Sequence, residues 1–301
     1  MSSNGHIHVP ILTNELLSLL ALSAGDWAID ATVDGGGHAQ ALLAATAPTG
    51  RVLGIDRDAV LLDYARNRFA SEIATGRIVL VHGSFANIGA IGREQGFTAV
   101  AAVVFDLGVS SYHFDLAGRG FSFRADEPLD MRFDPTSSDT PTAAQLLDRL
   151  TEREIASILF RYGEERYARR IARRIVTHRP IHTTSELFAC VESALPGKVR
   201  WQAARSAARV FQALRIAVNN ELAALETALP QAFQLLRLRG KLAVLSFHSL
   251  EDRIVKHFFR AQHQNGFGRI VTKKPVRPSQ EEVSTNPRAA SAKLRVCERL
   301  G

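Results

Sequence analysis

Three apolar runs in the first 106 residues each end on an aspartate: Trp27 to Asp30, Val52 to Asp56 and Val100 to Asp106. The first is followed at once by Asp34-Gly35-Gly36-Gly37-His38 and a helix-like stretch. Glycines in such a turn let the backbone approach a ligand closely and aim its N–H groups at it. Asp56 stands 19 residues after Gly37, where a carboxylate can accept both hydroxyls of a ribose. Gly83-Ser84-Phe85 closes a further apolar run, between the second and the last of these, and offers Phe85 as an aromatic edge for a purine. Asp106 would lie beside the reacting end of such a ligand.

Two nucleoside cofactors answer to this pattern. A nicotinamide dinucleotide calls for G-x-G-x-x-G, which admits a pyrophosphate to a helix N-terminus. Gly35 and Gly37 fit its first pair, but Gln40 stands where the third glycine belongs. S-adenosylmethionine carries a sulfonium and a zwitterionic amino acid instead of phosphate. Acids at Asp30, Asp34 and Asp106 suit that cation, and S-adenosylmethionine is the favoured reading. Each residue also has a structural alternative. The glycines could form a plain turn, Asp56 could cap the next helix and His38 could merely begin one. Ser246-Phe247-His248-Ser249 lacks the G-x-S-x-G elbow of a nucleophile and reads as a strand-end cap. His6 and His8 read as tail residues, and no His, Cys or carboxylate cluster has metal-ligand spacing.

The elements that must hold these residues follow from periodicity. Helical spacing runs over 9–22, and strands are expected over 27–32, 51–56, 77–83, 99–107 and 241–247, with helices between the early ones. Unalternating apolar strands separated by helices predict an α/β fold with a doubly wound, Rossmann-like parallel sheet. Its strand C-termini, and so Asp30, Asp56 and Asp106, gather on one edge. Residues 108–140 are irregular, with Phe114, Phe121 and Phe123 interleaved with Arg119, Arg124 and Arg132. They could contact RNA or form a small satellite core. Helices are expected over 142–150, 152–161, 164–178 and 184–194, then one long helix over 206–227 returning to the sheet, with Pro230 ending it or starting the next turn. Helix 164–178 is arginine-rich, with Glu152, Glu154, Glu164 and Glu165 near enough in sequence to neutralise part of it. The expected division is a sheet domain of 1–112 and 206–301 and an all-α insert of 113–205 that recognises the substrate. Short late strands are expected at 269–273 and 293–299, around an irregular loop from Pro275 to Pro287.

Composition bounds the function classes. With 301 residues, 46% hydrophobic and 22% charged, the chain can bury a sizeable core. No apolar run reaches the ~18 residues of a membrane span. The N-terminus lacks a secretory layout, and Cys190 and Cys297 make no disulfide framework, so a cytoplasmic location is expected. The net charge of +7 is concentrated beyond residue 255, where ten basic residues face three acids. A polyanion such as nucleic acid is the implied partner, with a solvated basic face as the alternative.

Several stretches together resemble one family, the bacterial 16S ribosomal RNA cytosine-N4 methyltransferases known as ribosomal RNA small subunit methyltransferase H or MraW. They are His8-Val9-Pro10-Ile11-Leu12, Asp30-Ala31-Thr32 with Gly35 to His38, Gly54 to Asp58, Phe105 to Ser111, Arg119 to Arg124, Pro128 to Arg132, Tyr162 to Arg166, Phe211 to Ile216, Ser246 to Arg253, and Asn286 to Arg288 with Ser291 to Arg295. The resemblance implies a class I methyltransferase fold with S-adenosyl-L-methionine as donor. It implies methylation of the exocyclic amine of a decoding-centre cytosine, late in small-subunit assembly, with 16S rRNA or the small ribosomal subunit as partner. Its cofactor residues carry over to Gly36, Gly37, His38, Asp56, Phe85 and Asp106. A further family position follows the Ser-Ser pair as Ser-Ser-Pro-Gln; here Tyr112-His113 follow Ser110-Ser111, and His113 takes that place. The oligomeric state is left open, a homodimer among the alternatives.

Methyl transfer to such an amine is an in-line displacement. The amine is conjugated to its ring and a poor nucleophile, so an acceptor that localises its lone pair and an aligned geometry must carry the catalysis. Asp106 is the candidate catalytic acceptor, with a purely cofactor-holding role as its alternative. No metal or covalent nucleophile is required, and the base must leave its stack to react. A nicotinamide-dependent oxidoreductase and a non-catalytic RNA-binding assembly factor are the competing readings.

Overall fold

The computed structural model describes residues 10–301. The His6 and His8 readings, the first two residues of the His8 to Leu12 stretch and the expected helix start at Val9 fall outside it. The chain divides into two compact units, one running through Ser110 and resuming from Leu222 to Gly301, the other spanning Ser111–Glu221.

The first unit begins with α1 (Thr13–Leu20), β1 (Trp27–Asp30), α2 (Gly37–Ala45), β2 (Arg51–Asp56), α3 (Ala59–Arg68), α4 (Ala70–Ala74), β3 (Ile78–His82), α5 (Ile88–Glu94) and β4 (Val100–Asp106). The second unit holds α6 (Ser111–Asp115), α7 (Ala143–Arg149), α8 (Glu152–Gly163), α9 (Ala168–Thr177), α10 (Thr184–Ala194) and α11 (Ala203–Asn219). The chain then returns through α12 (Glu221–Leu235), β5 (Leu236–Ser246), α13 (Ser249–Gln264), β6 (Gly268–Ile270), α14 (Gln280–Thr285) and β7 (Lys293–Arg299).

The seven strands form one sheet in the order β3-β2-β1-β4-β5-β7-β6. The first five are mutually parallel, and β7 runs antiparallel to β5 and to β6. The order reverses between β1 and β4, the switch point at which open α/β sheets bind ligands. This is the expected doubly wound, class I methyltransferase topology. Ile29, Leu53, Ile55, Val103 and Phe105 point to one face and pack with Leu225, Leu229 and Phe233 of α12. Ala28, Val52, Ala102 and Val104 alternate to the other, against Leu16, Leu42 and Ala65.

Several expectations needed correction. The helix over 206–227 is two helices, α11 and α12, broken at Asn220 in a left-handed conformation (φ 51°). α11 belongs with the helical unit, so the boundary lies at 221/222 rather than 205/206. Pro230 does not end α12 but sits inside it. Proline removes one intrahelical hydrogen bond, and burial of Leu225, Ala228, Leu229, Ala232 and Phe233 carries the helix past it. β5 starts at Leu236, five residues earlier than expected, with a register shift where it meets Val100 and Ala102. The 275–287 loop contains α14, whose N-cap Ser279 accepts from the Glu282 N–H at 3.1 Å.

In the helical unit, α8 packs on α9 and α11. Ile155, Leu159, Ile171, Ile175, Val191, Val210 and Leu214 supply the core. Three capping boxes begin its helices, at Thr142, Thr151 and Thr183. The segment after β4 is ordered from within. Phe121 and Phe133 stack at 5.7 Å, and Phe123 packs on Phe188 and Phe211. Arg119 donates to the carbonyls of Arg132 and Phe133, and Arg132 is held by Asp130 at 2.7 Å. The phenylalanines Phe121 and Phe123 therefore serve a satellite core. Gly163 ends α8 where a β-carbon would lie 2.6 Å from the Arg209 carbonyl of α11. Gly163→Ala is expected to cost about 1–3 kcal/mol, the usual range for overpacking; urea unfolding monitored by circular dichroism measures it, and no loss would mean that the helices give way freely.

Candidate functional site

The C-terminal edges of β1, β2 and β4 bring the acids and glycines of the sequence pattern together. β1 ends at Asp30, and Thr32 two residues later ties two strands to the turn. Its backbone N–H donates to Asp30 Oδ1 at 3.2 Å, and its hydroxyl oxygen accepts the Asp106 N–H at 2.7 Å. The chain then turns through Asp34 (φ 48°) and Gly36 (φ 80°) into α2. Both residues are left-handed, and at Gly36 a β-carbon would stand 2.6 Å from the Phe69 ring. Arg68 secures the turn from outside by donating to the Gly35 carbonyl at 2.6 Å.

Asp56 is positioned by the backbone on both sides. Its Oδ2 accepts the Asp34 N–H at 2.7 Å and its Oδ1 the Asp58 N–H at 2.8 Å. The Arg57 N–H also favours its charged form, and the carboxylate keeps acceptor capacity for a hydroxyl donor. Asp58 in turn caps α3, accepting from Val60 N–H at 3.0 Å. His38, in the first turn of α2, places Nε2 3.2 Å from Asp106 Oδ2, both side chains buried. Asp30 is fully buried beside them. Its Oδ2 and His38 Nδ1 have no hydrogen-bond partner among the described residues. Phe85 is half-buried beyond β3, edge-on to Phe105 at 5.5 Å.

The electrostatics are those of crowded carboxylates. Burial pushes Asp30 up to about 7, with His38 pulling the other way. Asp34 is raised well above the usual carboxylate range by burial and then by repulsion from Asp56, Asp106, Asp30 and Asp58. Burial likewise raises Asp56 to about 6, against the backbone N–H groups that favour its charge. His38 is raised: burial alone would lower it, and the neighbouring Asp106 and Asp30 carboxylates outweigh that. Such an edge repels a pyrophosphate and attracts a cation and hydroxyl donors. With buried orphan acceptors and a glycine turn at hand, these residues fit S-adenosylmethionine. Asp56 would take its ribose hydroxyls, Phe85 its adenine edge, and the Gly36-Gly37-His38 turn with Asp30 and Asp106 its methionine and sulfonium.

Of the expected site residues, the structure gathers Gly36, Gly37, His38, Asp56 and Asp106, with Phe85 at the end of the neighbouring strand. His113 belongs to the helical unit, where it is buried among aromatic rings at 5.1 Å from Phe121 and 5.4 Å from Phe133. Asp30 and Thr32 are further parts of the cradle. Their signal was the Asp30-Ala31-Thr32 stretch at the end of the first apolar run. Ser246-Phe247-His248-Ser249 is the strand-end cap expected of it, His248 Nδ1 accepting the Glu251 N–H at 3.3 Å. Asp56→Ala is expected to weaken S-adenosylmethionine binding about 100-fold, since hydrogen bonds to a charged acceptor contribute about 1.5–3 kcal/mol each. Calorimetry measures it, with Asp56→Asn as the shape-preserving companion; unchanged affinity in both would remove the ribose role.

Comparison with known proteins agrees with S-adenosylmethionine as the cofactor. The chain is 48% identical to ribosomal RNA small subunit methyltransferase H of a Cyanothece species, over 98% of this chain and 95% of that one. It is 45% identical to the protein of the same name from Heliobacterium modesticaldum (97% and 98% covered) and 44% to that from Thermomicrobium roseum (97% and 94%). The model of the MraW methylase family matches residues 5–300. By that match across nearly its whole length, the chain belongs to the MraW methylase family.

Proposed function

We propose that this protein methylates the exocyclic N4 amine of a decoding-centre cytosine in 16S rRNA, acting in the cytoplasm on the maturing small ribosomal subunit. The observation that carries the reading is the carboxylate edge around the glycine turn, in a chain that matches its named relatives almost end to end. S-adenosylmethionine is the cofactor, and when bound it supplies an electrophilic methyl group on a sulfonium. Family membership sets aside the nicotinamide alternative.

The residues divide the work as follows. Asp56, held by two backbone N–H groups, orients the ribose. Asp30 provides negative charge to the cationic end, and Asp34 contributes the backbone N–H that holds Asp56. Asp106 accepts a hydrogen bond from the target amine, which localises the nitrogen lone pair, and takes up the proton as the new N–C bond forms. His38, raised in pKa and 3.2 Å away, fixes that carboxylate in place. Burial of Asp106 and His38 keeps water from competing for the same acceptor.

The test is methyl transfer from labelled S-adenosylmethionine to small subunits that lack the modification, followed by nucleoside analysis. N4-methylated cytidine is the expected product. Label on another nucleoside, or none on subunits with cofactor bound, would overturn the assignment.

A further inference from the structure

We propose that the groove between α8 and α9 in the helical unit is a docking surface for single-stranded RNA. Arginines grip the phosphates there, and Phe160 stacks on a base. This rests on the RNA-substrate reading above and adds to it a contact surface made by the helical unit alone.

The groove is open and encloses about 1050 Å³. Phe160 stands in it 67% exposed, although its neighbours on α8, Ile155 and Leu159, are buried. Arg153, Arg166, Arg169 and Arg170 line it, all exposed. The acids expected to neutralise this helix do so only in part. Glu152 lies 3.6 Å from Arg173, and Glu165 is buried and faces Arg209 at 3.9 Å. Among the described residues no ion pair engages Arg153, Arg166, Arg169 or Arg170.

α9 buries Ala168, Ile171, Ala172 and Ile175 in the unit, which turns its arginines outward. Arg169 and Arg173, and Arg170 and Arg174, are like charges four residues apart on α9, an arrangement that weakens a helix. A bound polyanion relieves that repulsion. The guanidinium fork matches phosphate oxygens, and a lone exposed ring among such groups fits an unstacked base. A membrane surface would need a broad apolar face, and that of α9 is already buried.

The experiment uses the full-length protein and a fluorescein-labelled mixed-sequence 16-nucleotide RNA, titrated by anisotropy at several KCl concentrations. Arg169→Gln with Arg170→Gln is expected to weaken binding and to flatten the salt slope by about 1.4, roughly 0.7 for each phosphate no longer neutralised. Phe160→Ala is expected to weaken binding about 5- to 150-fold with the slope unchanged, as removal of one stacked base does. Arg66→Gln with Arg93→Gln is the charge-matched control and should flatten the slope less. Cofactor calorimetry on each variant confirms that it is folded. Wild-type affinity and slope in both groove variants would overturn the proposal. So would variants that keep oligonucleotide affinity yet lose binding to small subunits, because the groove would then take a protein. Wild type that binds the oligonucleotide through the groove but transfers no methyl group would instead sink the proposed activity and leave the groove standing.

Discussion

Asp106→Asn is expected to lower methyl transfer at saturating cofactor by about 10²- to 10⁴-fold, the range that a positioned proton acceptor contributes. Asparagine keeps the shape of the side chain and the backbone N–H that Thr32 anchors. It removes the charge that localises the amine lone pair and the base at that point of the edge. Cofactor affinity should move far less than the rate, because Asp30, Asp34 and Asp56 still face the ligand. A second readout is independent of turnover. Asp106 is the leading influence raising His38 against burial, so in Asp106→Asn the His38 titration followed by NMR should shift downward. If instead the rate at saturation holds and the Kd alone rises, Asp106 is a cofactor-holding residue and the proton acceptor lies elsewhere.

How much of this was legible beforehand depended on how local each signal was. Asp56 and Asp106 could be placed because an apolar strand ending on an acid is a local pattern, and parallel crossovers carry all such ends to one edge. The pairing of His38 with Asp106 was not, since it joins positions 68 residues apart through the packing of α2 on the sheet. The role of Thr32 as a bridge between β1 and β4 has the same origin. The break at Asn220 is hidden in the sequence because apolar periodicity continues across it, and one left-handed residue decides the boundary. Charge was legible in amount but not in use. Of the basic residues after 255, Lys293 and Arg295 are held by Asp252 at 3.2 and 2.6 Å, and Arg269 by Glu298 at 2.7 Å. Part of the C-terminal excess thus builds the antiparallel edge of the sheet, while the arginines of α9 that line the groove stay exposed.

Acidification should act in opposite directions on cofactor binding and on the stability of the cofactor-free protein. Binding needs Asp30 ionised against the cationic end and Asp56 ionised toward the ribose. With folded values of about 7 and about 6, both carboxylates are charged at pH 8. At pH 5 only about one molecule in 10³ carries both charges, so the Kd should rise by up to about 10³-fold across that interval, and binding in between should release protons. The stability sign is reversed. A carboxylate raised above its unfolded value near 3.9 binds more protons when folded, so its contribution is largest at low pH and declines as pH rises toward its folded value. The Tm of wild type minus that of Asp30→Asn should therefore increase as pH falls from about 7 toward 4, measured without cofactor. His38 titrates in the same direction, being raised as well, and the subtraction isolates the Asp30 share. A cofactor Kd flat from pH 8 to 5 would overturn this prediction, since either the cradle would hold its carboxylates ionised throughout or hydroxyl and backbone contacts rather than charge would dominate recognition.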